Sequence, residues 1–116
     1  MENIDKKLSF QEVINLAQDR IHRMQKLEGK PWSAEGSFIE LSKQVGDLAK
    51  VIIRYENYYY QEKEPDKKVL KGELSDELAD LLYVLIRLAD HYEVDLEEAH
   101  IKAREKEDFF LKSKGL

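Results

Sequence analysis

The sequence predicts an all-α protein, a four-helix bundle organised around a central helical hairpin. The chain has 116 residues but only two prolines and five glycines, so little in it interrupts long regular elements. Apolar residues recur at spacings of three and four, which is the periodicity of amphipathic helices. A segment at 40–54, ELSKQVGDLAKVIIR, returns at 73–87 as ELSDELADLLYVLIR, with eight of fifteen positions identical. These two copies of one amphipathic helix are the expected halves of the hairpin.

The first helix is predicted within residues 8–29. Ser9 and Glu12 have the spacing of a capping box at its start, and Gly29 followed by Pro31 marks its end. The second helix is predicted from about Phe38 to about Tyr60. Its apolar line consists of Leu41, Val45, Leu48, Ile52, Tyr55 and Tyr59.

A charged connector, QEKEPDKKVLKG, separates the second helix from the third, which is predicted from about Glu73 to Tyr92. A break at EVD follows, and Asp95 with Glu98 forms a second capping pattern that opens the fourth helix. Residues 113–116 are expected to fray. A chain of this length is expected to form a single domain over 1–116, with its core within about 9–112.

Composition narrows the functional classes. The net charge is −5 and the pI about 5.3, which argues against binding of nucleic-acid backbones. The absence of cysteine excludes thiolate chemistry. The amino-terminal MENIDKKLSF lacks an apolar signal-peptide core, and no apolar run has membrane-spanning length, so we expect a cytoplasmic protein with no membrane partner. An apolar face on each helix of a short chain favours a homodimer or homotetramer.

Acidic residues recur at the same places in both copies of the repeat. At about 100° per residue they form a narrow stripe beside each apolar face, and the two stripes would face each other if the helices pair. The stripes consist of Glu40, Gln44 and Asp47 in the first copy, and of Glu73, Glu77 and Asp80 in the second.

Carboxylates that meet in one groove repel one another unless water or cations compensate them. Oxygen ligands at helical spacing suit Mg²⁺ or Mn²⁺, which also bind substrate phosphates. Two alternatives remain open from the residues alone. The stripes can be solvated rims of duplicated helices, and Ser37 with Glu40 can form a capping box at the start of the second helix.

The segment DELADLLYVLIRLADHYEVDLEEAH, at 76–100, resembles the MazG-like, all-α nucleoside triphosphate pyrophosphohydrolases. Glu77 and Asp80 match the metal ligands of the family pattern E-E-[LI]-x-D. The resemblance implies a MazG-like bundle that hydrolyses nucleoside triphosphates to monophosphates and pyrophosphate with Mg²⁺, as a house-cleaning enzyme. The first motif departs from the family: KQVGDL stands where the family has EEVGEL, so Lys43 and Gln44 replace two glutamates.

The resemblance implies a set of site residues. Asp47 and Glu77 are the candidates for the catalytic base, and Gln44 cannot serve as one. The implied metal ligands are Gln44, Asp47, Glu77 and Asp80, and the auxiliary candidates are Glu40, Glu73, Lys43 and Lys106. The altered first motif also favours an alternative function, a catalytically impaired relative that acts as a nucleotide-binding or oligomeric interaction module.

Three further residues have two interpretations each. Arg54 and Arg87 occupy the same place in the two copies, one turn past Val51 and Val84, which continue the stripes as apolar residues. Both arginines are expected to pair with acidic groups across the hairpin. A phosphate contact is the weaker alternative for them. Trp32 can stack on a base, although packing at a core edge or subunit interface is the commoner role of such a side chain.

Overall fold

The computed structural model describes residues 7–116, and that part of the chain holds four α-helices and no strand. They are α1 (Phe10–Glu28), α2 (Ala34–Tyr55), α3 (Lys67–His91) and α4 (Leu96–Ser113). The all-α prediction is confirmed. Within residues 7–116 no helix has the length and apolar character needed to cross a membrane. The prediction about a signal peptide depends in part on residues 1–6, which lie outside the described part.

The chain divides into two compact units. One contains Trp32–Leu88, that is, α2 and most of α3 with both copies of the repeat. The other contains the described residues up to Pro31 together with Ala89–Leu116, that is, α1, the end of α3 and α4. The repeated segments therefore lie in a single unit.

The start and the end of α1 are those that the sequence predicts. Ser9 and Glu12 form both bonds of the capping box, each at 3.1 Å. Gly29 closes the helix with φ of 86°, a left-handed conformation that glycine adopts without steric cost, and its N–H donates to the Gln25 carbonyl. Ile14 and Ile21 are the buried residues of this helix.

The bounds of α2 differ from the prediction at both ends. Ser33, and not Ser37, is the N-cap, and its hydroxyl accepts a hydrogen bond from the Gly36 N–H at 2.9 Å. The helix consequently begins four residues early, and the predicted capping box of Ser37 with Glu40 is wrong. Its end comes at Tyr55 because Asn57 adopts a φ of 57°, which a continuing helix does not allow.

The third helix begins six residues earlier than predicted, inside the charged connector. The carboxylate of Asp66 accepts a hydrogen bond from the Lys68 N–H at 2.9 Å, and the Asp66 carbonyl accepts one from the Leu70 N–H. Leu70 is only 1% exposed, so the first turn of α3 is fixed to the core. In α4, Asp95 caps the helix by accepting from the Glu98 N–H at 3.0 Å, which confirms the second capping pattern.

Two side-chain contacts show how α2 and α3 pair. The Arg87 Nε donates to the Ser37 Oγ at 3.0 Å, which joins the end of α3 to the start of α2. The Arg54 Nη1 donates to the Glu73 Oε2 at 2.8 Å, which joins the end of α2 to the start of α3. The helices therefore run antiparallel, and the predicted helical hairpin is confirmed. Val51 and Val84, each three residues before one of these arginines, are buried on the same helix faces.

Candidate metal site on the α2–α3 pair

The antiparallel pairing brings the middles of the two repeated segments opposite each other. Counting inward from the contacts at both ends, the α2 residues near 44–47 lie opposite the α3 residues near 77–80. Five of the six stripe residues are partly buried, whereas Asp80 is exposed. The stripes thus lie along the edge of the helix pair, as the sequence predicts for residues that border an apolar face.

Two stripe oxygens are buried and accept no hydrogen bond from residues 7–116. The Gln44 side chain donates from Nε2 to the Glu40 Oε1 at 3.1 Å, while its own Oε1 is one of these two oxygens. The Glu77 Oε2, on α3, is likewise buried and accepts no hydrogen bond from the described residues. A buried oxygen without a partner costs about 1–3 kcal/mol, so such an atom requires a physical explanation. One of these oxygens comes from each copy of the repeat.

Lys43 connects the charges of the two stripes. Its Nζ lies 3.4 Å from the Asp47 Oδ2, one turn along α2. The hydrogen bond to Asp47 is the largest influence that raises the pKa of Lys43, followed by the charges of Asp47 and Glu40, and the Glu77 carboxylate contributes too. The Lys43 ammonium therefore lies beside the α2 stripe, and the Glu77 carboxylate of α3 also favours its charged form.

The raised pKa of Lys43 determines how the contribution of this residue to stability depends on pH. A raised pKa keeps Lys43 protonated throughout the neutral range. Its contribution to stability is therefore complete below its ordinary pKa of 10.5 and is lost only as the pH rises beyond that value. The carboxylates around Lys43 have this cation beside them at every physiological pH.

The remaining candidates have other partners or another location. Glu73 forms its ion pair with Arg54, so the predicted pairing across the hairpin is confirmed for this arginine. Arg87 contacts Ser37 and the Trp32 ring instead of a carboxylate, and the same prediction is wrong there. Lys106 belongs to α4 in the other unit. There it lines an open depression of about 400 Å³ together with Lys102, Glu105 and Phe109.

The donor chemistry of the stripes fits a hard divalent cation. Amide and carboxylate oxygens are the ligands that Mg²⁺ and Mn²⁺ prefer, and Gln44 and Glu77 each present one unengaged oxygen. Within residues 7–116, no group of three or more His, Cys, Asp or Glu side chains is arranged to hold a metal ion. The amide of Gln44 is outside those residue types, so the candidate consists of mixed amide and carboxylate oxygens.

The burial of Arg87 and its contact with Trp32 were not predicted from the sequence. Its guanidinium lies over the Trp32 ring, 4.3 Å from the ring centroid, and the residue is only 9% exposed. Arg87 lies within the nearly continuous apolar run LLYVLIRLA at 81–89, and this run is the feature of the sequence that could have indicated its burial. The equivalence with Arg54 in the repeat concealed this difference.

Comparison of the chain with protein-family models, with curated proteins and with solved structures gave no match.

Proposed function

We propose that the protein is a nucleoside triphosphate pyrophosphohydrolase that depends on Mg²⁺ or Mn²⁺. The observation that carries the proposal is the pair of unengaged oxygens, Gln44 Oε1 and Glu77 Oε2, one from each copy of the repeat. The resemblance of residues 76–100 to MazG-like enzymes supports the same reaction. The proposed products are a nucleoside monophosphate and pyrophosphate.

Gln44, Asp47, Glu77 and Asp80 are the residues that would hold the ion. A bound divalent ion neutralises charge on the phosphate chain and makes water a better nucleophile at neutral pH. Glu77 is the better candidate for the general base, because one oxygen of Asp47 already pairs with Lys43. Its carboxylate would accept the proton of the attacking water. The water oxygen then bonds to the α-phosphorus while the bond to the bridging oxygen breaks and pyrophosphate leaves.

Homo-oligomers are part of this proposal. Large apolar side chains remain uncovered on α2, among them Phe38 at 62% and Ile39 at 69% exposure. Exposed apolar groups on one helix commonly mark a surface that a partner covers. A second copy of the chain, in a homodimer or homotetramer, is the partner that we propose.

The assay for this function measures pyrophosphate released from a panel of ordinary and modified (d)NTPs in the presence of Mg²⁺ or Mn²⁺. We expect release from at least one member of the panel, with a nucleoside monophosphate in equal amount. An Asp80→Asn variant supplies the baseline, because it removes a carboxylate from the proposed ligand set. Release no greater than this baseline across the whole panel would refute the enzymatic proposal.

One observation favours a second candidate, a nucleotide-binding module without turnover. The exposed Lys43 ammonium lies 3.4 Å from Asp47, and the Glu40 and Glu77 carboxylates also raise its pKa, so the chain places a cation of its own beside the stripes. Such an ammonium group can contact a phosphate but cannot act as a Lewis acid toward it.

The double variant Lys43→Glu with Gln44→Glu tests this second candidate. It removes the Lys43 cation and adds two carboxylates, so we expect Mn²⁺ affinity and pyrophosphate release to rise about tenfold or more. Calorimetric titration with Mn²⁺ and the release assay measure the two effects. Lys50→Glu, an exposed α2 position outside the stripe, is the control for a nonspecific gain of negative charge. If both variants behave alike, Lys43 and Gln44 are not what limits the site.

A further inference from the structure

Arg87 is a buried cation. The residue is only 9% exposed, although its guanidinium group carries a positive charge. Within the described part of the chain no carboxylate forms an ion pair with it, and its Nη2 is buried without a hydrogen-bond acceptor. An uncompensated buried charge is costly, so the native chain keeps Arg87 at the expense of stability.

The two contacts of Arg87 are both uncharged. Nε donates to the Ser37 Oγ at 3.0 Å, and the Cζ atom lies 4.3 Å from the centroid of the Trp32 ring. The ring in turn packs on the first turn of α2, because a Cβ added at Gly36 would lie 3.2 Å from the Trp32 Cε3. A hydroxyl and an indole face reduce the charge density around the guanidinium but do not neutralise it.

The repeat supplies an internal comparison. Arg54 stands at the equivalent position of the first copy, and there the arginine is half-exposed and pairs with Glu73 at 2.8 Å. The second copy buries its arginine, and among residues 7–116 no carboxylate forms an ion pair with it. At this position of the repeat, the two helices therefore differ in the burial of the arginine and in its ion pairing.

The amino-terminal turn of α2 offers further hydrogen-bond donors near Arg87. Arg87 meets the amino-terminal turn of α2, where Ser33 is the N-cap and backbone N–H groups carry partial positive charge. That partial charge amounts to about half an elementary charge, and the Glu35 carboxylate in the same first turn opposes it. Arginine together with a helix amino terminus is an arrangement suited to phosphate, which accepts parallel hydrogen bonds from the guanidinium fork.

We propose that Arg87 and the amino-terminal turn of α2, with Ser37 and Trp32, form an anion site that binds a phosphate group. Ser37 precedes Gln44 by seven residues, about 10 Å along α2, so this site is distinct from the stripe oxygens. The phosphate is either free inorganic phosphate or a phosphate of a nucleotide. Only the nucleotide assignment depends on the proposed function. Binding at Arg87 draws the guanidinium away from the indole, so the environment of Trp32 changes.

The test uses the wild-type protein in EDTA, with inorganic phosphate as the probe and chloride added to hold the ionic strength constant. Trp32 is the sole tryptophan of the chain, so its fluorescence reports on this site. We expect a saturable fluorescence change and a rise in melting temperature with phosphate. Arg87→Met should weaken phosphate binding at least tenfold, whereas the matched control Arg54→Met should leave it within twofold of wild type.

The following results would overturn the proposed phosphate site. No saturable response in the wild type, or equal binding by Arg87→Met, would overturn the proposal. If Arg87→Met does not fold, Arg87→Lys replaces it, because lysine keeps the charge and loses the fork. Unchanged phosphate affinity in Arg87→Lys would also overturn the proposal.

A nucleoside triphosphate tested in the same EDTA buffer identifies the source of the phosphate group. Tighter binding than inorganic phosphate, lost in Arg87→Met, assigns the site to a nucleotide, and equal binding assigns it to free phosphate. Because EDTA removes the metal, failure of the proposed enzyme does not affect this result.

Discussion

Replacing Leu70 with alanine is expected to lower the free energy of unfolding by about 2–5 kcal/mol. Leu70 is 1% exposed and is among the most deeply buried side chains of the described chain. The substitution removes buried methyl groups and leaves a cavity that the surroundings fill only in part. Urea or thermal denaturation measures the change, which is a large fraction of the stability of a small protein.

The neighbouring residue supplies the control for this prediction. Val69 is 56% exposed, so Val69→Ala should change the free energy of unfolding by no more than about 0.5 kcal/mol. The two residues are adjacent in QEKEPDKKVLKG, the segment that the sequence predicts to be a connector. Equal and small effects at Leu70 and Val69 would mean that this segment is a solvated connector after all, and that α3 begins later than Lys67.

Glu77→Gln is expected to reduce pyrophosphate release by about 10²-fold or more. The charge that a metal site stabilises in the transition state is worth several kcal/mol, and each 1.36 kcal/mol is a factor of ten in rate. The variant keeps the size of the side chain but removes the carboxylate charge and one candidate for the general base. The same change should abolish the rise in melting temperature that Mn²⁺ produces in the wild type, since a lost site cannot stabilise the fold by binding.

Asp76→Asn is the matched control, because Asp76 is the adjacent residue on α3, is exposed and lies outside the stripe. It removes the same charge from the same helix turn, so a nonspecific loss of negative potential affects both variants equally. We expect Asp76→Asn to retain the activity and the Mn²⁺ response of the wild type within about twofold. A comparable loss in both variants would show that Glu77 has no special role.

The sequence predicted the type and number of the helices correctly because their apolar periodicity is long and regular. Their ends were less predictable, and the reason is local. Ser33 and Ser37 are both good N-caps by residue type, and only the bond from the Gly36 N–H to Ser33 decides between them. At α3 the charged connector concealed the start, because Lys67 and Lys68 lie on the exposed side of a turn whose other side buries Leu70.

The placement of the two stripes was predictable where it follows from the repeat. Two copies with the same acidic positions indicate facing stripes, and the pairing of α2 with α3 brings them opposite each other. The environments of equivalent residues were not predictable from the repeat. Arg54 and Arg87 share one sequence context but differ in burial and in partners, because the paired helices meet different surroundings at their two ends.

The most direct test of the central claim is a crystal soaked with Mn²⁺ and examined by anomalous scattering. The claim is that oxygens from the two repeated helices share one divalent ion. We expect a Mn²⁺ peak in direct contact with the Gln44 Oε1 and the Glu77 Oε2, with Asp47 or Asp80 completing the protein ligands. Clear density for both side chains with no peak between α2 and α3 would contradict the account and leave the stripes as solvated edges.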